Sequence, residues 1–435
     1  MKYNPSPPND AKGLKLIFRA LSHRNYRLFF GGQGISLIGT WMQQIAMSWL
    51  VYRLTHSPFL LGVVGFSGQI PSFLIAPFAS VLVDRWNRHH ILVITQSLAM
   101  IQALILAFLD LKGMIAVWQV ILLSIFLGLV NAFDMPTRQA FVVDMIENQD
   151  DLGNAIALNS FIFNGARLLG PSIGGLLIYL VGEGMCFLLN GLSFIAVIIA
   201  LLAMRIPPPR IEPRSSHIWE GVREGFTYAF GFTPIRSLLL LLALVSLAGM
   251  PYTLLMPVFA KNVLHGGPET LGFLMGASGA GAVAGAIFLA SRKTVLGLGR
   301  LIVISLDMFG IGLIAFSLSR VLVLSLLLLV FIGFGMIVQM ASSNTVLQTI
   351  VEEDKRGRVM GFYTMAFMGM VPFGSLLAGT LASKIGAPPT VMISGISCIL
   401  GSILFAKKLP LLREMVRPIY VGKGIILEEL PEVRR

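Results

Sequence analysis

Ionisable residues inside long apolar stretches are where this chain could do chemistry, and two stand out: Arg167, just before Gly170, and Asp307, well inside a later apolar run. In a lipid interior each costs roughly 3 kcal/mol or more unless paired or hydrated. Three roles are open for Arg167: binding an anionic part of a ligand, countering a titrating acid, or donating fixed hydrogen bonds to helix carbonyls or to amides such as Asn164. Asp307 is either a proton carrier or a snorkelling or paired group at a helix interface. Neutral amides accompany them: Gln33, Gln43, Gln44, Gln69, Asn131, Gln339, Asn344 and Gln348 sit among Met and Phe in other apolar segments. Such amides either hold a large amphipathic ligand by a few hydrogen bonds or glue helices together.

Covalent chemistry has no such footing. The chain holds no Walker-type glycine loop, no metal-ligand cluster and no nucleophile elbow, so neither an enzyme nor an ATP-driven pump is expected, and no cofactor. Cys186 and Cys398 lie in separate apolar segments with neither metal-ligand spacing nor a disulfide framework, and read as small packing residues.

The elements that must position these groups are membrane helices. Hydrophobic residues make up 55% and charged residues 12%, with a mean hydropathy of +0.81, outside the usual range of soluble globular domains. Lipid satisfies no backbone polar groups, so apolar runs of about 20 residues must be helical. Such runs fall at 28–52, 58–83, 90–110, 114–134, 154–181 and 183–204, then at 237–260, 269–291, 300–319, 321–343, 359–383 and 388–406. The expected fold is an all-α integral membrane protein, with an N-terminal segment 1–27, a six-helix bundle 28–204, a linker 205–236, a second six-helix bundle 237–406 and a tail 407–435. No removable signal peptide is visible in the first segment. Within the linker, Trp219, Val222, Phe226 and Phe230 recur at helical spacing among charges, which predicts a short amphipathic helix on the membrane surface.

The net charge of +12 does not imply nucleic acid, because the basic residues sit in short clusters between apolar segments. Of the 33 Lys and Arg, only Arg53, Lys112, Lys261, Arg320 and Lys384 fall in the alternate set of loops, and Arg167 lies within a segment. The positive-inside rule then places both termini in the cytoplasm. The halves also repeat one another. Pro58 and Gly62 recur as Pro268 and Gly272, Gly175 recurs as Gly379, and Gly191 and Ser193 recur as Gly395 and Ser397. An even number of spans per repeat makes the repeats parallel, which puts a substrate cavity between two rocking bundles. One chain already holds both halves, so a monomer is expected.

Two motifs mark where such a molecule would close. GPSIGG supplies Gly170, Pro171, Gly174 and Gly175, small residues that permit close helix approach and a proline that permits a bend, so it is a hinge or seal, or else plain packing. The loop ASVLVDRWNRHH carries Asp84, Arg85 and Arg88. It resembles the cytoplasmic gating motif of the major facilitator superfamily, with Ser80 and Asn87 where glycine is common and His89 in place of a final Lys or Arg. In that family the Asp contacts the start of segment eleven, here Arg358 to Gly361, and the second Arg reaches an acid at the end of segment four, here Asp134, making a breakable charge latch. The alternative is a simple basic loop.

Over nearly its whole length the chain resembles the branch of that superfamily containing the enterobactin exporter and the macrolide efflux proteins. The resemblance is carried by RNYRLFFGGQ at 24–33, WMQQIAMSWLVYRLTHSPFLLG at 41–62, DRWNR at 84–88, MPTRQAF at 135–141, ARLLGP at 166–171 and RGRVMG at 356–361. It implies proton-driven export of a drug, siderophore or similar amphipathic metabolite across the cytoplasmic membrane. Segment four lacks the membrane-embedded arginine of many proton-coupled antiporters of the superfamily and has Asn131 as its polar residue. Uptake of a small metabolite is the alternative within transport, and a non-transporting membrane scaffold or receptor is the alternative outside it.

Overall fold

The computed structural model describes residues 18–83, 86–205, 218–292, 294–353 and 355–426. Among them the regular structure is helical. In chain order the helices are α1 (Arg24–Thr55), α2 (Pro58–Val83), α3 (Arg88–Leu111), α4 (Val117–Asp144), α5 (Leu152–Val181) and α6 (Glu183–Leu202). The linker contributes α7 (Ile218–Gly231). There follow α8 (Thr233–Val263), α9 (Pro268–Ala290), α10 (Leu298–Leu318), α11 (Leu322–Ile350), α12 (Arg356–Ile385) and α13 (Ala387–Gly422).

Of these, 11 are long and apolar enough to cross a membrane. The remaining long helix, α1, has 32 residues, about 48 Å at 1.5 Å per residue. It falls short in hydropathy because Gln33, Gln43 and Gln44 interrupt its apolar run.

Sequence punctuation explains the ends. The Asn87 side chain accepts from the backbone N–H groups of His89 (3.0 Å) and His90 (3.3 Å) and so caps α3. The turns between α5 and α6 and between α12 and α13 each turn on a glycine of positive φ, Gly182 at +86° and Gly386 at +88°, a conformation that side chains with a Cβ resist.

Several boundaries differ from the sequence reading. Helix α4 runs through Pro136 to Asp144, past the expected end at 134, and α13 continues to Gly422, so much of the expected tail is helical. Helix α8 is irregular, with wide turns at Val245–Gly249 and Phe259–Val263 around the prolines Pro251 and Pro257. Helix α12 breaks between Arg356–Met368 and Val371–Ile385, where Pro372 has no N–H to continue the ladder.

In the first bundle α1 packs on α5 and α6, α2 on α4, and α3 on α4 and α6; in the second α9 packs on α11, and α10 on α11 and α13. Lipid gives helices no hydrophobic reason to associate, so close approach at small residues must hold them. Gly191 on α6 lets Leu104 of α3 in, and Gly395 on α13 meets the Gly310 carbonyl of α10, the same arrangement in each half. The bundles join through α2 against the second half of α12, and α5 against α9.

Candidate functional site

The two joints are glycine contacts at one end of the molecule. A Cβ on Gly62 would come within 2.7 Å of the Ser375 carbonyl oxygen and 3.1 Å of Gly379 Cα; one on Gly175 would come within 2.6 Å of both Gly272 Cα and the Pro268 carbonyl oxygen. Below the second contact, Gly276 meets Ser172 Oγ and Gly279 lies against Leu168 Cα, where a Cβ would come within 2.9 Å. Beside the first, Phe373 packs edge-on against Phe66 and Phe73, and Gly369 admits the Phe73 ring. A hydrogen bond of 2.6 Å from Asn262 Nδ2 to Tyr52 Oη ties α8 to α1 at the same end.

The contacts stop halfway through. Gly165 on α5 and Gly357 and Gly361 on α12 have nothing within 4 Å of a Cβ position. Among the described residues no hydrogen bond or ion pair joins the two bundles toward the face bearing most of the Lys and Arg, here the basic face. The bundles therefore enclose a crevice that is sealed at one end and open at the basic face.

Each residue of GPSIGG has a separate task. Gly170 and Gly174 seat α1, against Trp41 and Met42, while Gly175 and the Pro171 carbonyl form the joint with Gly272. Helix α5 runs unbroken through Pro171, so this stretch packs as continuous helix at the joint; the break in the membrane helices lies instead in α12, between Met368 and Val371.

Arg167 stands where the α5–α9 joint ends. Its guanidinium lies over the Trp41 ring, Cζ 5.8 Å from the centroid, and Trp41 meets Phe163 edge to face at 5.8 Å. It is within electrostatic reach of Tyr252 on α8, whose hydroxyl is 2.7 Å from Ser278 Oγ on α9. No carboxylate or carbonyl partners Arg167 among the described residues, and Asn164, one of its expected amides, donates instead to the Ser160 carbonyl at 2.8 Å. Asp307, half-buried on α10, likewise has no hydrogen-bond or ion-pair partner among the described residues.

Of the gating residues, Asp84 and Arg85 lie outside the described residues. Arg88 reaches both carboxylate oxygens of Asp144 at 3.2 Å, in place of the expected Asp134. The reason is the extra length of α4, which carries Asp144 to the helix end and leaves Asp134 inside the bundle. There Asp134 accepts from Thr95 Oγ1 (2.8 Å), Gln96 Nε2 (2.7 Å) and the Arg138 guanidinium one turn away. Arg358 donates to Glu224 of the linker helix at 2.6 Å. Around that pair Phe226 and Phe230 stack on each other and Phe362 meets both edge-on, Gly225 lies on the Arg358 side chain, and the Lys355 ammonium sits 4.5 Å above the Tyr228 ring. The linker helix thus rests on the first half of α12 rather than only on the membrane surface.

The amides divide by surroundings. Asn190 Nδ2 donates to Gln43 Oε1 (2.7 Å), Gln43 Nε2 to Gln102 Oε1 (3.0 Å) and Gln102 Nε2 to the Leu123 carbonyl (3.4 Å), a relay through four helices of the first bundle. Gln339, fully buried, donates to Ser343 Oγ at 3.3 Å, and Gln348 donates to Asn344 Oδ1 at 3.0 Å. Gln33 is buried with its Oε1 unpartnered, and Asn131 is half-buried. Gln44 and Gln69 are exposed; by helical spacing Gln69 shares the α2 face of Gly62, Phe66 and Phe73 that meets the other bundle. Nothing local in the sequence announced the relay or the meeting of Trp41 with Arg167, since both join helices far apart in the chain.

Comparison with known proteins fits this geometry. A family model for transmembrane secretion effectors matches residues 17–417. A staphyloferrin A transporter of Staphylococcus aureus is 25% identical over 87% of this chain and 95% of its own; the multidrug efflux pump Tap of Mycolicibacterium fortuitum is 25% identical over 88% and 93%. The enterobactin exporter EntS of Shigella boydii is 24% identical over 88% and 91%. Among solved structures, a bacterial homologue of the lysosomal transporter Spinster, inward-facing and unoccupied, superposes with a TM-score of 0.67 at 15% identity over 94% of this chain and 99% of its own. A bacterial homologue of the iron transporter ferroportin, also inward-facing, does so with 0.68 at 16% identity over 89% and 98%. This chain is a multi-pass membrane transporter, not an enzyme, and it belongs to the transmembrane secretion effector family of the major facilitator superfamily.

Proposed function

We propose that this protein is a secondary active exporter that carries an amphipathic small molecule, such as a drug or siderophore, out across the cytoplasmic membrane by alternating access, driven by the proton gradient. The observation that carries the reading is the one-sided seal: glycine joints at Gly62–Gly379 and Gly175–Gly272 close one end, while Gly165, Gly357 and Gly361 stand free at the other. The positive-inside bias assigns the free, basic face and both termini to the cytoplasm, so the crevice is placed to load from inside. Kinship with an enterobactin exporter and a multidrug efflux pump supports the outward direction. Asp307, unpartnered on α10, is the candidate proton carrier. A single chain with both bundles suffices, so the working unit is a monomer in the bilayer.

The test is efflux of a panel of amphipathic dyes and drugs from energised cells, with and without a protonophore, in wild type, Asp84→Asn and Asp307→Asn. Export is expected to stop with the protonophore and in Asp84→Asn; Asp307→Asn is expected to lose gradient-driven efflux but keep dye-for-dye exchange. Accumulation of a nutrient would reverse the direction. Movement of no compound would leave the fold without this function.

A further inference from the structure

We propose that the substrate is an organic oxyanion, and that its charged group is held by Arg167 at the closed end of the crevice, between Trp41 of the first bundle and Tyr252 of the second. The inference rests on the transport reading and names the chemistry that the crevice selects.

A guanidinium in a membrane interior needs a counter-charge, hydration or a dense set of acceptors. Arg167 has none of these from the described residues: no carboxylate, no carbonyl, and only the face of Trp41 at 5.8 Å. An indole face offsets part of the desolvation of a cation but leaves the N–H edges of the fork unused. Those edges are the groups that match a carboxylate bidentately.

Position argues the same way. The ladder of close contacts that shuts the crevice descends α5 from Gly175 through Ser172 to Leu168, which lies against Gly279, and the next glycine of α5, Gly165, faces open space. Arg167 therefore sits at the step between seal and crevice, half-buried and without a charged partner among the described residues. Phe163, one turn further along, is 44% exposed and stands edge-on to Trp41. Oxyanion charge at the fork with an apolar or planar body along Trp41 and Phe163 is the ligand these surfaces complement.

The residues also come from both bundles. Tyr252 is fixed by its contact with Ser278, while Arg167 and Trp41 belong to the first bundle. A ligand neutralising Arg167 beside Tyr252 removes the charge from the place where the two bundles separate, so occupancy and bundle rocking act on one another.

Two xanthene dyes of similar size and opposite charge, carboxyfluorescein and rhodamine 123, test the proposal by fluorescence anisotropy on the full chain in nanodiscs of zwitterionic lipid. Carboxyfluorescein is expected to bind the wild type more tightly than rhodamine 123. Arg167→Gln should weaken the anion at least about tenfold without weakening the cation, and Arg167→Lys, which keeps the charge but not the fork, should fall between. Thermal unfolding of each variant separates loss of binding from loss of fold, and Arg167→Lys keeps the test alive if Arg167→Gln does not fold. Equal binding of the two dyes, binding of neither, or anion affinity untouched by Arg167→Gln overturns the proposal. Anion binding that depends on Arg167 without any uptake into inverted vesicles would sink the export reading and leave this site standing.

Discussion

Gly62 on α2 touches Gly379 on α12 across the interface between the bundles, and the contact has a double: Gly272, the repeat partner of Gly62, touches Gly175, the repeat partner of Gly379. The carbonyls of Pro58 and Pro268, again repeat partners, lie against Gly379 and Gly175 respectively. The two joints are related by the internal repeat and act at the same end of the crevice.

Closing that end depends on the absence of four side-chain carbons. Gly175→Ala would force backbone apart by several tenths of an ångström, costing the sealed state on the order of 2 kcal/mol and shifting the sealed-to-open ratio about 30-fold. Efflux is expected to fall at least about tenfold, while thiol labelling from the sealed side rises. Gly165→Ala, with nothing within 4 Å, should leave efflux unchanged.

The relay from Asn190 through Gln43 to Gln102 is a stability device. Gln43→Leu strands the Asn190 amide and the Gln102 carbonyl in a buried site, so a loss of about 1–3 kcal/mol is expected, read as a lower unfolding midpoint in detergent. Gln44→Leu, at an exposed neighbour, should not move the midpoint.

The linker helix is held mainly by rings. The Arg358–Glu224 pair is exposed and worth about 0–1 kcal/mol, so Glu224→Gln should change little and become silent in high salt. Phe362→Ala removes the ring that meets the stacked Phe226 and Phe230 edge-on and is expected to speed proteolysis of residues 218–231 several-fold.

Arg88 and Asp144 form an ion pair at the basic face of the first bundle. Asp144→Asn should lower efflux by less than about threefold, since the pair is partly exposed, whereas Asp134→Asn disturbs a buried carboxylate with three donors and should lower both expression and unfolding midpoint.

Much of this was legible because membrane helices advertise themselves. Apolar runs mark the helices, and the recurrence of Pro58, Gly62 and Gly175 in the second half marks the repeat, though not that these glycines meet across the bundles. The differences lie where helices outlast their apolar runs. Helix α4, expected to end at 134, continues through Pro136 to Asp144, and Arg88 meets Asp144 there. Gly369 with Pro372 is the local signal for the break in α12, set inside an apolar run that reads as one continuous span. The environment of Arg167 was not legible at all, because Trp41 and Tyr252 reach it from α1 and α8 and no local spacing records that meeting.

In the proposed alternating access the bundles rock, so that one end closes as the other opens. Paired spin labels at Gly153 and Gly357 on the basic face, and at Leu180 and Lys384 at the sealed end, measure both gaps in a chain lacking Cys186 and Cys398. Rocking bundles give a short sealed-end distance with a long basic-face distance, and on acidification a second population in which the two reverse together. Two distances that stay fixed, or that lengthen and shorten in the same sense, would contradict it.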